Sequence, residues 1–419
     1  MARRAQFSYV GFYTGQYVLL GVQLPFFSAW LALQGFTAPE IGWVTGIALA
    51  ARLMLGPIVA IWSDALRDDT LAMKVVSVIF AGAAIGLVFE PGKVVIALLA
   101  AVVLWSFGVL VPLSDSAVLR ADRAGLLHYG QTRALGSAAF LAANILGGVW
   151  LTRFGIEWSV VIMAASASLA FGFSLTLPRL NSTDATAVSA RARMAEPAAD
   201  LRPHEAAGPA RGELWRLAPR LLSDYRFLLL ILAAGFVQGG HAVYYTFSIL
   251  RWSEIGYSPQ LVGVLWAIGV AAEIVLLSFA RRLTGRFSPA ALTAIGGVAA
   301  AVRWTWTAFE PPVGVLAGLQ CLHALTFAAT YLGSVEFIDR AVPKRLAATA
   351  MTLMSATGVG ALTGLATIVA GYVVAAEGIG GVGETSGVAA AYLLMGAMGA
   401  AAVMLAALLG RVWRGETLF

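Results

Sequence analysis

Residues 179–224 read RLNSTDATAVSARARMAEPAADLRPHEAAGPARGELWRLAPRLLSD, a polar stretch set between two long tracts that are almost wholly apolar. It holds Pro197, Pro203, Pro209 and many arginines, the composition of a flexible connector. A short amphipathic helix is expected around Leu214–Leu222. Outward on either side, apolar runs recur near the length of about 20 residues that crosses a bilayer as a helix. On the N-terminal side they lie near 8–33, 41–62, 71–89, 94–117, 131–152 and 158–178. On the C-terminal side they lie near 226–250, 259–280, 288–309, 312–337, 346–374 and 386–410, the fifth carrying glycines placed to kink it. The reading is an all-α polytopic membrane protein: twelve transmembrane helices in two six-helix halves, 1–178 and 225–419, with 179–224 as a cytoplasmic connector.

Composition excludes the alternatives. Of 419 residues, 59% are hydrophobic and 12% charged, with a mean hydropathy of +0.82; soluble domains carry about 25% charged residues. So few charges cannot coat a soluble surface, and so apolar a chain does not stay disordered. A membrane β-barrel would alternate polar and apolar residues over about ten positions, whereas these runs are unbroken. MARRAQF leads straight into a long apolar segment, which reads as an uncleaved first span and not as a signal peptide. Cys321 is the single cysteine, so no disulfide forms within the chain. The four histidines show no metal-ligand spacing, and neither metal nor cofactor is expected.

Lys and Arg set the orientation. Arg52, Arg133 and Arg303 fall inside spans, and Lys93, Arg153 and Arg251 lie on one set of loops. The termini and the opposite loops carry Arg3, Arg4, Arg120, Arg123, Arg281, Arg282, Arg286, Lys344, Arg345, Arg411 and Arg414. Positive charge stays cytoplasmic, so both termini are expected inside. The same scatter accounts for the net charge of +6 and argues against a nucleic-acid partner, which needs one gathered patch.

Charges inside the spans are the strongest functional signal, since each costs at least about 2.5–3.5 kcal/mol to insert at the bilayer centre. They are Arg52, Asp115, Arg133, His241, Glu273, Arg303 and His323. Several share a helical face with polar or aromatic neighbours: Arg133, Ser137, Phe140 and Asn144; Gln238, His241, Tyr245, Ser248 and Trp252; His323, Thr326 and Thr330; Tyr9, Tyr13 and Tyr17. Such stripes either line a wet cavity or hydrogen-bond to neighbouring helices. For a single Ser or Thr the second reading is the default, and Tyr9 is expected in an interfacial belt. For Arg133, Glu273 and Arg303 the first is favoured, while His241 and His323 suit either a ligand or a core hydrogen bond. The charges have both signs and come from both halves, so a binding site joining the halves is expected to contain both. Arginine offers a fork to a carboxylate, and Tyr and Trp faces suit a ring.

Two sets of six spans about a connector resemble the major facilitator transporters. The segments LPFFSAW (24–30), YGQTRALGSAAF (129–140), GGHAVYYTFS (239–248), GYSPQLVGVLWAIGVAAEI (256–274), VRW (302–304) and LHALTF (322–327) are similar to its phenylpropionic acid transporter family, with lactose permease more distant. By that resemblance Asp115, Arg133, Glu273, Arg303 and His323 match the permease's functional positions, while Thr326 stands where it has a proton-carrying glutamate. Asp64 and Arg67 resemble the superfamily's gating loop without its glycines.

The resemblance implies a monomeric, multi-pass protein of a bacterial-type inner membrane that imports a small aromatic carboxylate such as 3-phenylpropionate with protons. Arg133 is expected to hold the carboxylate, assisted by Arg303 or His241; Tyr13, Tyr17, Tyr245 and Trp266 to cradle the ring; and Glu273, or else Asp115, to carry the proton. A sugar or nucleoside symporter, with Asp115 and Arg133 on hydroxyls, is the alternative. The polar residues lie on separate spans with no nucleophile–base spacing, which speaks against an enzyme.

Overall fold

A computed structural model describes residues 2–65, 69–178, 219–343, 346–376 and 387–418. Every regular element among them is helical, and a helix, whole or broken, stands at each of the twelve expected places. Nine are long and apolar enough to cross a membrane, and Trp158–Ser174 is a shorter apolar helix. The N-terminal six are α1 (Ala2–Leu33), α2 (Ala38–Ala65), α3 (Asp69–Val88), α4 (Lys93–Arg123), α5 (Tyr129–Phe154) and α6 (Trp158–Ser174). After the connector come α7 (Tyr225–Gly239), the short α8 (Ala242–Thr246) and α9 (Ser248–Glu254), α10 (Pro259–Ser278), α11 (Ala280–Arg286) and α12 (Pro289–Ala308). Then follow α13 (Val313–Cys321), a π-helical turn at Ala324–Ala329, α14 (Thr330–Ala341), α15 (Ala347–Leu353), a second π turn at Met354–Ala361, α16 (Leu362–Ala375) and α17 (Gly387–Val412).

The chain clusters into two compact units. The first comprises 1–36, 47–202 and 252–264, the second 37–46, 203–251 and 265–419. In the first, α1 packs on α5 and α6. It does so closely because Gly15 has no side chain: a Cβ there would stand 2.6 Å from the Ala170 backbone nitrogen. Small residues allow this where lipid offers no hydrophobic drive between helices. The same packing buries Tyr9 to 1% exposure, which corrects its expected place in an interfacial belt: the face it shares with Tyr13 is the inner one.

In the second unit α12 lies along α17, again through glycine, since a Cβ on Gly399 would meet the Ala301 nitrogen at 2.5 Å. The span expected as one rod over 226–250 is broken. After Gly239 the His241 amide bonds the Gln238 carbonyl, three residues back, and the His241 ring takes up the Val237 and Gln238 carbonyls. The later glycine-bearing span does leave α geometry, at the π turn that contains Gly358 and Gly360.

The end of the chain folds back onto this unit. Leu418 N–H donates to the Ala341 carbonyl at 2.8 Å, and the Trp413 indole packs on Phe337 and donates to the Glu416 carbonyl. Arg226 bonds Asp224, Glu416 and the Leu418 carbonyl together. Asp224 caps α7. Burial pushes its carboxyl upward, but the Arg226 side chain and the Arg226 and Phe227 amides outweigh that and hold it below the ordinary value.

Candidate functional site

The first unit gathers four of the expected site residues. Tyr13 and Tyr17 lie one turn apart on α1, so their rings share a face and stack with centroids 5.8 Å apart. Gly136 of α5 gives them room, since a Cβ there would come within 3.1 Å of both rings. The Tyr13 hydroxyl donates to Asp115 Oδ1 of α4 at 2.6 Å. Arg133 Nε lies 3.7 Å from the same oxygen, and its guanidinium sits over the Tyr17 ring, 4.8 Å from the centroid. At 3.7 Å the Arg133–Asp115 pair is a charge contact and not a hydrogen bond. Both side chains are also about one-third exposed, 36% and 29%. Arg133 thus keeps donors for a further acceptor.

The second unit gathers six more. Arg303 is fully buried. It donates through Nη2 to Gln320 Oε1 at 2.6 Å, while Nη1 lies 3.3 Å from His323 Nδ1 and 3.4 Å from Thr326 Oγ1. The Tyr244 and Trp304 rings flank its guanidinium at 4.8 and 4.3 Å. Beyond it, His323 Nε2 lies 3.4 Å from Glu273 Oε2, and His241 Nε2 lies 3.0 Å from Thr326 Oγ1. Tyr245 stacks on His241, and its ring lies 5.5 Å from that of Trp266, which Tyr244 covers at 4.4 Å.

Donor chemistry constrains the proton positions along this chain. An arginine only donates, so His323 Nδ1 accepts from it and the His323 proton sits on Nε2, facing the Glu273 carboxylate. His241 Nδ1 lies 3.1 Å from two carbonyl oxygens, which only accept, so it carries the proton there. His241 Nε2 lies 3.0 Å from the Thr326 hydroxyl, whose one proton can go to it or to the His323 carbonyl at 3.3 Å. In the neutral form of both rings the two histidines are opposite tautomers, with the proton on Nε2 of His323 and on Nδ1 of His241.

Asn144 stands apart from either cluster. It follows Arg133 by about 16 Å along the axis of α5, at 1.5 Å per residue. Its Nδ2 donates to the Phe140 carbonyl, and its own backbone lies where a Cβ on Gly263 would strike. Arg67 and the Asp64 and Arg52 side chains lie outside the described residues. The structure adds Tyr244, Trp304 and Gln320, which the stripes did not include. Gln320 was within reach of the sequence, being a polar intramembrane residue one turn before His323; Tyr244 and Trp304 look like ordinary apolar filling until the guanidinium between them is seen.

Membrane-length helices that carry buried, hydrogen-bonded charges mark a multi-pass membrane protein with a functional site within its spans. The chain belongs to the MFS_1 like family, whose profile matches residues 6–380, and is a transporter of the major facilitator type. It is 29% identical over 338 residues, 78% of this chain and 80% of the relative, to a "Probable 3-phenylpropionic acid transporter" of Escherichia coli (strain K12). It is 25% identical to the "Maltose permease" of Geobacillus stearothermophilus over 379 residues, 88% of each chain. Among solved structures the fold is similar to that of the nucleoside transporter NupG, with a TM-score of 0.77, 16% identity and coverage of 98% of this chain and 100% of that one.

Proposed function

We propose that this protein imports a small aromatic carboxylate of the 3-phenylpropionate kind together with a proton, by alternating access, in a bacterial inner membrane with both termini cytoplasmic. The observation that carries the reading is Arg133: a partly exposed guanidinium laid on a tyrosine face, held only loosely by Asp115. A carboxylate takes the arginine fork, and its ring joins the Tyr13–Tyr17 stack. The name of the Escherichia coli relative supports the same substrate class.

Proton coupling falls to Glu273. Its carboxylate faces the Nε2–H of His323, and Arg303 holds that ring by its other nitrogen. A proton taken up by Glu273 weakens its attraction to the pair, so the protonation state of one carboxyl is read by a buried chain that crosses three helices. Asp115, already bonded by Tyr13, is the second acid.

One monoanion carried with one proton moves no net charge. In proteoliposomes, an inward pH gradient of one unit then accumulates phenylpropionate about tenfold, and a membrane potential alone accumulates none. Glu273→Gln abolishes that uphill uptake and spares substrate exchange; uphill uptake by the variant removes Glu273 from the mechanism. A sugar symporter is the second reading, favoured by the similarity to the maltose permease. Inhibition by disaccharides or nucleosides with no inhibition by phenylpropionate would replace the first reading with the second.

A further inference from the structure

The outer side of the second unit carries a groove of about 580 Å³ between α12 and the helix that begins at Val313. Phe287, Ile295, Val298 and Val302 line one wall, and Leu322 and Leu325 the other. No polar side chain lines it. Val298 and Val302 are 51% and 43% exposed, on a helix whose opposite face packs on α17, so in a bilayer the groove opens to the acyl chains. From Phe287 to Val302 it runs about 22 Å, at 1.5 Å per residue, comparable with one leaflet of hydrocarbon and more.

The groove has a charged end. Phe287 directly follows α11, which carries Arg281, Arg282 and Arg286, all exposed. Among the described residues none of the three pairs with a carboxylate; Arg282 lies over the Phe279 ring, 5.6 Å from its centroid. Three guanidinium groups without a carboxylate partner among the described residues, on the helix that leads into an apolar channel at Phe287, match a molecule with an anionic head and a long hydrocarbon tail.

The geometry points to a specific site for an anionic phospholipid, one acyl chain in the groove and the phosphate-bearing headgroup on Arg281, Arg282 and Arg286. The walls belong to the helical turns that carry the buried polar chain on their inner side: Val302 precedes Arg303, Leu322 precedes His323, and Leu325 precedes Thr326. The lipid thus packs against the back of the residues that hold Glu273, including the π turn at Ala324–Ala329. A π turn inside a helix frequently marks a functional site, and the bound chain fills the space beside this one.

The experiment is native mass spectrometry of the full chain released from micelles with phosphatidylglycerol or phosphatidylcholine added at graded concentration. The wild type retains one phosphatidylglycerol more tightly than any that follow it. Val298→Trp fills the groove at a lipid-facing position and removes that first binding step; Ala291→Phe does the same lower in the groove and serves if the first variant fails to fold. Replacing Arg281, Arg282 and Arg286 together by Gln abolishes the preference for phosphatidylglycerol over phosphatidylcholine, by about fivefold for each arginine. An unchanged first step in both filled variants, or an undiminished preference in the triple variant, overturns the assignment. The readout is lipid retention, so it stands or falls independently of the transported solute.

Discussion

Thr326→Val tests the directional hydrogen-bond chain around Arg303. The substitution keeps the shape of the side chain and removes one hydroxyl. Three groups lose a partner: Arg303 Nη1, which retains His323 Nδ1, His241 Nε2, which lies 3.0 Å from the Thr326 hydroxyl, and the His323 carbonyl, which lies 3.3 Å from it. Leaving a buried acceptor unsatisfied costs about 1–3 kcal/mol. Measured side-chain hydrogen bonds inside membranes average nearer 0.6 kcal/mol, with a maximum near 1.7. Both sites are buried, with Thr326 and His241 at 0% exposure, so water cannot replace the hydroxyl, and the upper part of the membrane range applies, about 1–2 kcal/mol. Thr326→Ser keeps the donor and falls within about 0.5 kcal/mol of wild type. The assay is thermal unfolding of the purified protein in detergent, with His241→Phe and the His241→Phe/Thr326→Val double variant completing a cycle. A coupling of about 1 kcal/mol is expected for residues joined in one network. Additive effects, or a Val variant as stable as the Ser variant, would refute the hydrogen-bonded chain through Thr326.

Three further outcomes follow from the geometry. Arg133→Lys keeps the charge but loses the planar fork and its seat on Tyr17, so on the proposed function the KM for phenylpropionate in vesicle uptake rises about tenfold with expression unchanged; an unaltered KM would remove Arg133 from the proposed carboxylate binding. Gly399→Ala forces α12 and α17 apart, because the added Cβ meets Ala301 and Ala300 backbone atoms that cannot yield; about 1–3 kcal/mol of stability is lost, read as a lower apparent melting temperature. At the tail, Asp224→Ala costs about 1 kcal/mol through the lost helix cap and leaves Arg226 held only by Glu416 and the Leu418 carbonyl, so the Leu418 amide exchanges faster with deuterium. The Asp224 carboxyl is held below its ordinary value, so its contribution is complete above about pH 3.9 and is lost as pH falls through the lower native value. The Leu418 amide protection is therefore expected to weaken only under distinctly acidic conditions, and a loss at neutral pH would contradict the assignment.

Much of the candidate site was legible because burying a charge in a membrane is expensive enough to need a reason. Arg133, Asp115, Glu273, Arg303 and His323 all stand out from their apolar neighbours on that ground, and each proves to have a charged or hydrogen-bonded partner within 3.7 Å. The signal fails where cost is low. Tyr9 reads as a belt residue from its type and position, yet it is turned inward, because helical periodicity gives a face without saying which neighbour covers it. Tyr244 and Trp304 are unremarkable aromatics in an apolar run, and only the fold shows that a guanidinium lies between them. The helix break after Gly239 was likewise hidden. A pair of glycines permits it, but the His241 ring bonding two backbone carbonyls is a contact that no residue spacing announces.

The sequence by itself determined that the chain is a multi-pass membrane protein built of apolar helices, because the length and composition of apolar runs are local properties that hydration energies read directly. Tertiary structure alone decided which of the isolated charges answer one another: Arg133 with Asp115 and Tyr17 in one unit, and Arg303 with His323, Thr326, Gln320 and through them Glu273 and His241 in the other. Hydrogen bonds are short and directional. Pairing residues 20 or 85 positions apart requires the helices to be packed before a donor can find its acceptor.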